Sequence, residues 1–188
     1  MQIIFIRHGE KSREHESIHL NHTGKVRAKY LVDYFLHPSN DFSKPGFVFM
    51  MNMSKQGKSE RCWETMQPTI AQGGLEYELV ERYNTHKLAA YLSKECNKND
   101  TIVVCWQHSR IVDMLNLLGA KQVNAWGFDP ESGHDDGQCF DATWVVNLDK
   151  HHLHLKVFSQ FCVVDDVPVY ERDRDTVFFE QTYRHVRV

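Results

Sequence analysis

The chain has 188 residues, of which 41% are apolar and 25% charged, and a net charge of −3. That size and composition fit one folded domain and exclude wholesale disorder. No apolar run approaches the roughly 20 residues that span a bilayer, the run at residues 2–6 is too short for a signal-peptide core, and the slightly acidic balance excludes a broad basic surface for nucleic acid. The five cysteines (Cys62, Cys96, Cys105, Cys139, Cys162) are widely spaced and never in a C-x-x-C pair, which points to free thiols in a reducing, cytoplasmic setting.

Gln2-Ile3-Ile4-Phe5-Ile6 is a continuous apolar run, the pattern of a strand covered on both faces, and it turns polar at Arg7-His8-Gly9-Glu10. Residues 11–20 read as loop. Asn21 is an N-cap for a helix whose apolar residues Ala28, Leu31, Val32, Phe35 and Leu36 recur at helical spacing, and Pro38 stops it. Phe47-Val48-Phe49-Met50-Met51 is a second buried strand. A helix starts near Ser59, placing Arg61 in its first turn; Pro68 is expected to end or kink it, and Gly73-Gly74 closes the segment. Residues 77–80 form a short third strand. Thr85 caps a helix through Cys96, with Leu88, Tyr91 and Leu92 on one face. Thr101-Ile102-Val103-Val104-Cys105-Trp106 is the clearest strand, and Gln107-His108-Ser109 leads from it into a helix striped by Ile111, Met114, Leu115 and Leu118 and closed by Gly119. Residues 127–138 form a loop. Residues 143–148 and 153–164 are two strands joined by a turn at 149–152, and residues 165–188 form an arm that packs back. Strands alternating with helices argue for a single α/β domain over residues 1–188, a three-layer α/β/α sandwich with a mainly parallel sheet. Ligands of such sheets sit at the carboxyl ends of the strands, which selects Arg7-His8 and His108.

The chemistry of those residues suits a phosphoryl group. An arginine presents a fixed fork of donors to phosphate oxygens, Gly9 lets the backbone approach closely, and a neutral imidazole can attack phosphorus. His108 follows another strand and opens a helix whose positive end faces the same region, and Arg61 lies in the first turn of its own helix. Two arginines and two histidines would make a metal-free phosphate pocket.

Here the sequence resembles the histidine phosphatase superfamily, which includes the cofactor-dependent phosphoglycerate mutases. Ile3-Ile4-Phe5-Ile6-Arg7-His8-Gly9-Glu10 resembles the family's strand and R-H-G motif, and Leu20-Asn21-His22-Thr23-Gly24-Lys25-Val26-Arg27-Ala28 its L-T-x-x-G-x-x-Q/R-A segment. Arg61-Cys62-Trp63-Glu64-Thr65 is similar to its R-x-x-Q-T element, and Val103-Val104-Cys105-Trp106-Gln107-His108 to its second-histidine strand. The matches occur in family order between Met1 and Leu118. The resemblance implies a phosphoglycerate mutase-like fold, His8 as nucleophile, and Arg7, Arg61, His108 and Gly9 as substrate-binding groups, with no cofactor and no metal. It implies hydrolysis of a phosphorylated small molecule or a phosphoprotein, with inorganic phosphate as product. Leu79-Val80-Glu81-Arg82-Tyr83 resembles a stretch that carries the general acid in one branch, making Glu81 the candidate, with Glu78 and His86 in reserve; where another branch has Asp after the second histidine, this chain has Ser109.

Some features depart from the family. Ser54 is followed by Lys55 rather than proline, seven residues before Arg61. Lys11-Ser12-Arg13-Glu14 lacks the W-N pair of the mutases, and the chain has little room for the insertions that shield a phosphohistidine from water. Hydrolysis is therefore favoured over a mutase-type phosphotransfer, and a phosphate- or phosphoprotein-binding module without catalysis is the alternative. His151, His152 and His154 lack partners at zinc spacing and read as a solvated turn. The segment His134-Asp135-Asp136 reads as an acidic loop, and Trp63, Trp106, Trp126 and Trp144 as core or pocket wall. His19 and His22 flank the first helix start, and Cys105 is expected to be inert packing.

Overall fold

A computed structural model describes residues 1–11, 18–38, 42–52, 60–95, 100–120, 140, 142–160, 163–164, 167–168 and 177–184. Four strand–helix units come first: β1 (Gln2–Arg7), α1 (His22–Leu36), β2 (Phe47–Asn52), α2 (Arg61–Gly73), β3 (Glu76–Glu81), α3 (Thr85–Lys94), β4 (Thr101–Trp106) and α4 (His108–Leu118). Strands β5 (Ala142–Leu148), β6 (His152–Ser159), β7 (Val163–Val164), β8 (Val167–Pro168) and β9 (Val177–Arg184) follow. The main sheet runs β3-β2-β4-β1-β5-β6-β9, and β7 pairs separately with β8. It is a mixed sheet. The half from β3 to β1 is parallel, while β5, β6 and β9 are added antiparallel.

The continuous apolar runs occupy the middle of this sheet. Ile3 to Ile6 of β1 and Val103 to Trp106 of β4 are fully buried, and the two strands pair in parallel from Gln2↔Thr101 to Arg7↔Trp106. The crossovers through α1 and α2 run toward the β3 edge, and that through α3 runs back; right-handed connections then put them on opposite faces. In keeping with this, α1 packs on α2 and α3 packs on α4. The chain leaves β1 toward one edge and β4 toward the other. The crevice beyond the carboxyl ends of β1 and β4 is therefore the switch point of the sheet.

Several local expectations change. Helix α2 runs through Pro68 to Gly73, capped by Gly74 in the left-handed region (φ 58°). Proline removes one backbone donor there, and the packing of α2 on α1 and β2 outweighs that loss. Thr85 is the first residue of α3 rather than its cap, which is Asn84, and the helix ends at Lys94; Cys96 lies outside the described residues. The expected strand 153–164 divides, because β6 stops at Ser159 and Val163–Val164 turns to pair with β8. From the C-terminal arm, β9 pairs antiparallel with β6 and forms one edge of the sheet. The loop at 127–138, with His134-Asp135-Asp136 and Trp126, lies outside the described residues, as do Ser54, Lys55, Cys139 and Cys162.

The end of β1 is fastened to α1. Asn21 caps α1 by accepting the Gly24 N–H at 2.9 Å, and its own N–H donates to the Glu10 carbonyl at 2.9 Å. A Cβ on Gly24 would lie 2.5 Å from the Glu10 carbonyl oxygen and 2.8 Å from its nitrogen. Alanine is about 1 kcal/mol better than glycine in an open helix, but a backbone clash of this kind costs about 1–3 kcal/mol. Gly24→Ala should therefore lower the melting temperature, whereas Gly46→Ala, whose Cβ would meet nothing within 4 Å, should leave it unchanged.

Candidate active site

The strand-to-loop turn after β1 places three side chains in buried positions: Arg7 at 3% exposure, His8 at 5% and Glu10 at 8%. The His8 N–H donates to the Trp106 carbonyl at 3.1 Å, extending the β1–β4 pairing past the strand end. The imidazole Nδ1 lies 2.8 Å from the Gly9 carbonyl oxygen. A carbonyl only accepts, so Nδ1 carries the proton and Nε2 holds the lone pair. The Glu10 carboxylate turns away from the crevice onto Arg27, whose Nε donates at 3.0 and 3.1 Å and Nη2 at 2.6 Å. Arg27 is wholly buried, and its Nη1 donates to Gln160 at 2.9 Å.

Helix α2 contributes Arg61 as its first residue. One turn later the buried Thr65 hydroxyl donates to the Arg61 carbonyl at 2.6 Å and accepts the Gly9 N–H at 2.8 Å. A threonine four residues after the arginine thus joins α2 to the loop after β1. Beyond β4, His108 opens α4. Because β5 is antiparallel to β1, its beginning lies beside the end of β1, and there Phe140 packs under the Arg7 guanidinium at 3.8 Å from ring centre, with its ring 5.9 Å from that of His8.

The electrostatics follow from burial among cations. Desolvation chiefly, then the positive charge of Arg7, with smaller contributions from Arg61 and His108, lowers the His8 pKa to about 3 against the Gly9 hydrogen bond, which opposes the shift. Burial, Arg7 and Lys11 lower that of His108 to about 4. Both imidazoles are neutral at pH 7. The Arg61 pKa is lowered, mainly by burial and further by the neighbouring charge of Arg82, with Cys62 and Glu64 acting in the opposite sense.

The architecture matches solved structures. SixA of Agrobacterium tumefaciens, assigned by name as a phosphohistidine phosphatase, aligns over 83% of this chain and 94% of its own at 14% identity, with a TM-score of 0.53. A SixA protein histidine phosphatase complexed with tungstate aligns over 80% and 90%, also at 14% identity, with a TM-score of 0.54. The fold is that of the histidine phosphatases. No family model and no curated protein matches the sequence.

On this histidine phosphatase fold, Arg7, His8, Gly9, Arg61 and His108 gather at the switch point, and Arg7, Arg61 and His108 all bear electrostatically on the His8 imidazole. Glu81 stands apart. It is exposed at the end of β3, opposite Asn52, whose Nδ2 donates to its carboxylate at 3.3 Å. Three strand spacings, about 14 Å, separate β3 from β1. Glu78 is exposed on the same edge strand, and His86 is exposed on α3. The sequence reading did not single out Arg82, Phe140 or the Thr65 bridge. Arg82 follows Glu81 directly and could have been considered with it, whereas nothing in the sequence marks Phe140.

Among the described residues, one group has metal-ligand chemistry: His19, Glu60 and Glu64, with ligand atoms within 4.8 Å of one another. Both Glu64 oxygens are already engaged, one by His19 Nδ1 at 2.5 Å and the other by the Leu20 N–H at 2.7 Å, so the group stands as a hydrogen-bonded tie from the loop at 18–20 to α2. Cys62 and Cys105 are buried free thiols; burial, with a hydrogen bond from Cys62, raises the Cys105 pKa well above its usual value, as expected of inert packing.

The low histidine pKa values give a stability prediction with a definite sign. Unfolded histidine takes a proton near pH 6.5, while folded His8 does so only near pH 3. Between these values the unfolded state binds more protons, so stability falls as pH drops, by up to about 1.4 kcal/mol per pH unit for a fully excluded proton. The half-buried His108 adds a smaller effect of the same sign. Melting temperature should fall from pH 6.5 to pH 4, and His8→Asn should flatten that slope. Thr65→Val, which leaves the Gly9 N–H without its acceptor, should cost about 1–3 kcal/mol in urea unfolding.

Proposed function

We propose that the chain is a phosphatase that hydrolyses a phosphomonoester through a phosphohistidine on His8, without a metal ion. The observation that carries this reading is the state of His8: a neutral imidazole with its Nδ1 proton committed to the Gly9 carbonyl, and Nε2 left with the lone pair among guanidinium groups. Nε2 attacks phosphorus in line, the bond from phosphorus to the leaving oxygen breaks, and that oxygen takes a proton. Water then cleaves the phosphohistidine, releasing inorganic phosphate and restoring His8. Arg7 and Arg61 compensate charge on the equatorial oxygens, His108 and the Gly9 region complete the cradle, and Glu81 is the candidate proton donor. The tungstate carried by one structure of the same fold is a tetrahedral oxyanion of the kind this cradle would hold.

His8→Ala should reduce hydrolysis of p-nitrophenyl phosphate at least about 10⁴-fold, and Arg61→Ala about 10²-fold or more, each with the fold intact by circular dichroism. Undiminished turnover in the His8 variant would exclude the mechanism. Turnover should persist in excess EDTA, since side chains supply the charge. A binding module without catalysis would instead be stabilised by tungstate and release no phosphate.

A second reading is favoured by the position of the acid. Among the described carboxylates near the site, that of Glu10 is tied to Arg27, and that of Glu81 lies at the far edge of the parallel half. A leaving group that departs without a strong acid suits such a site, and an imidazole is one. The substrate would then be a protein phosphorylated on histidine, which accords with the activity named for the SixA structures. The two readings part on Glu81→Gln. Loss of turnover on an alkyl phosphate, with p-nitrophenyl phosphate unaffected, supports Glu81 as acid. Rapid turnover of phosphoimidazole beside negligible turnover of alkyl phosphate in the unaltered protein supports the second.

A further inference from the structure

The rim of the candidate site carries more positive charge than a single phosphoryl dianion needs. Arg7 and Arg61 already balance it. Lys11, Arg82 and Arg110 stand outside them, and the last two share a feature with no role in the proposed chemistry. Tyr83, in the turn after β3, is the most exposed large side chain of its kind among the described residues, at 66%. The Arg82 guanidinium lies 5.4 Å from its ring centre and that of Arg110 5.6 Å, both within cation–π range. Arg82 Nε is buried and without a hydrogen-bond acceptor among the described residues. Arg110 Nη1 donates to Asp113 at 2.8 Å, one helical turn along α4, which braces the guanidinium while leaving its other N–H groups available.

The cluster is continuous with the phosphate site at both ends. The charge of Arg82 bears on Arg61, and Arg110 lies in the first turn of the helix that His108 opens. Guanidinium groups repel one another, so converging cations of this kind are relieved by an anion between them. Strand β3, which Tyr83 follows, and β1, which His8 follows, are three spacings apart, about 14 Å, a span that about four extended residues of a polypeptide cover.

We propose that Tyr83, Arg82 and Arg110 form a second anion subsite beside His8, which accepts a carboxylate side chain of a phosphorylated polypeptide and so selects phosphoproteins with acidic residues near the phosphorylated one. This rests on the phosphatase reading of the His8 site. The carboxylate receives N–H donors from the two arginines, and the Tyr83 ring supplies a flat apolar contact for the intervening chain.

The test is competition against p-nitrophenyl phosphate hydrolysis by two phosphotyrosine octapeptides, identical except that residues three and four beyond the phosphotyrosine are aspartate in one and asparagine in the other. The acidic peptide should inhibit at roughly fivefold to tenfold lower concentration at low salt, with the advantage fading as salt is raised. Arg110→Ala and Tyr83→Ala should each shrink the advantage to less than about twofold while leaving kcat/KM for p-nitrophenyl phosphate unchanged. Equal inhibition by the two peptides, or a peptide advantage that both variants retain, overturns the subsite while the phosphatase reading stands. Absence of p-nitrophenyl phosphate hydrolysis, together with no stabilisation by tungstate, overturns both.

Discussion

The site depends on an ion pair that never touches it. Arg27 is wholly buried in α1 and clasps the Glu10 carboxylate through Nε and Nη2. Two charges in the interior are stable only when each satisfies the other, and removing one partner costs about 3–5 kcal/mol because the survivor is stranded. The pair therefore fixes where the chain can go after β1. With Gly24 allowing the helix to sit against the Glu10 backbone, and Thr65 receiving the Gly9 N–H, the loop is held from two helices at once. Arg7 and His8 are left with little choice but to face the crevice. The same clasp turns the Glu10 carboxylate away from the crevice that Arg7 and His8 face.

Much of this was legible in the residues. Buried strands declare themselves by unbroken apolar runs, so β1, β2 and β4 stand where Ile3-Ile4-Phe5-Ile6, Val48-Phe49-Met50 and Ile102-Val103-Val104 place them. Helices α1 and α4 follow from a cap at Asn21, a stripe through Ile111, Met114, Leu115 and Leu118, and a glycine at 119 with φ 110°. Because ligands gather at strand carboxyl ends, Arg7, His8 and His108 could be grouped without coordinates. What escaped was whatever depends on packing between distant segments. A proline in α2 is tolerated because neighbouring elements hold the helix, and no local rule reports that. Phe140 reaches Arg7 only because β5 pairs antiparallel with β1, a fact of topology. The distance of Glu81 from His8 is set by the order of strands in the sheet, which β1, β2, β3 and β4 do not follow in sequence.

Charge and burial act together in this crevice. An imidazole beside two guanidinium groups is kept from protonating first by the loss of water and then by its neighbours. The consequence is chemical: on the phosphatase reading, the nitrogen that would meet phosphorus keeps its lone pair, and the positive potential that would draw a dianion comes from arginine. Aromatic support completes the arrangement, since Phe140 lies against Arg7 and gives the guanidinium a flat surface on which to rest. The far half of the sheet continues from β5 through β6, whose Leu153, Leu155 and Val157 are buried, to β9 at the edge.

Arginine does not titrate in any biological medium, and the two imidazoles here take up protons only under strongly acidic conditions. The attraction of the crevice for an oxyanion is consequently the same in a mildly acid vesicle as in a neutral compartment. On the phosphatase reading, the ionisation of the incoming phosphate then becomes the acid-sensitive member of the encounter rather than that of His8 or His108.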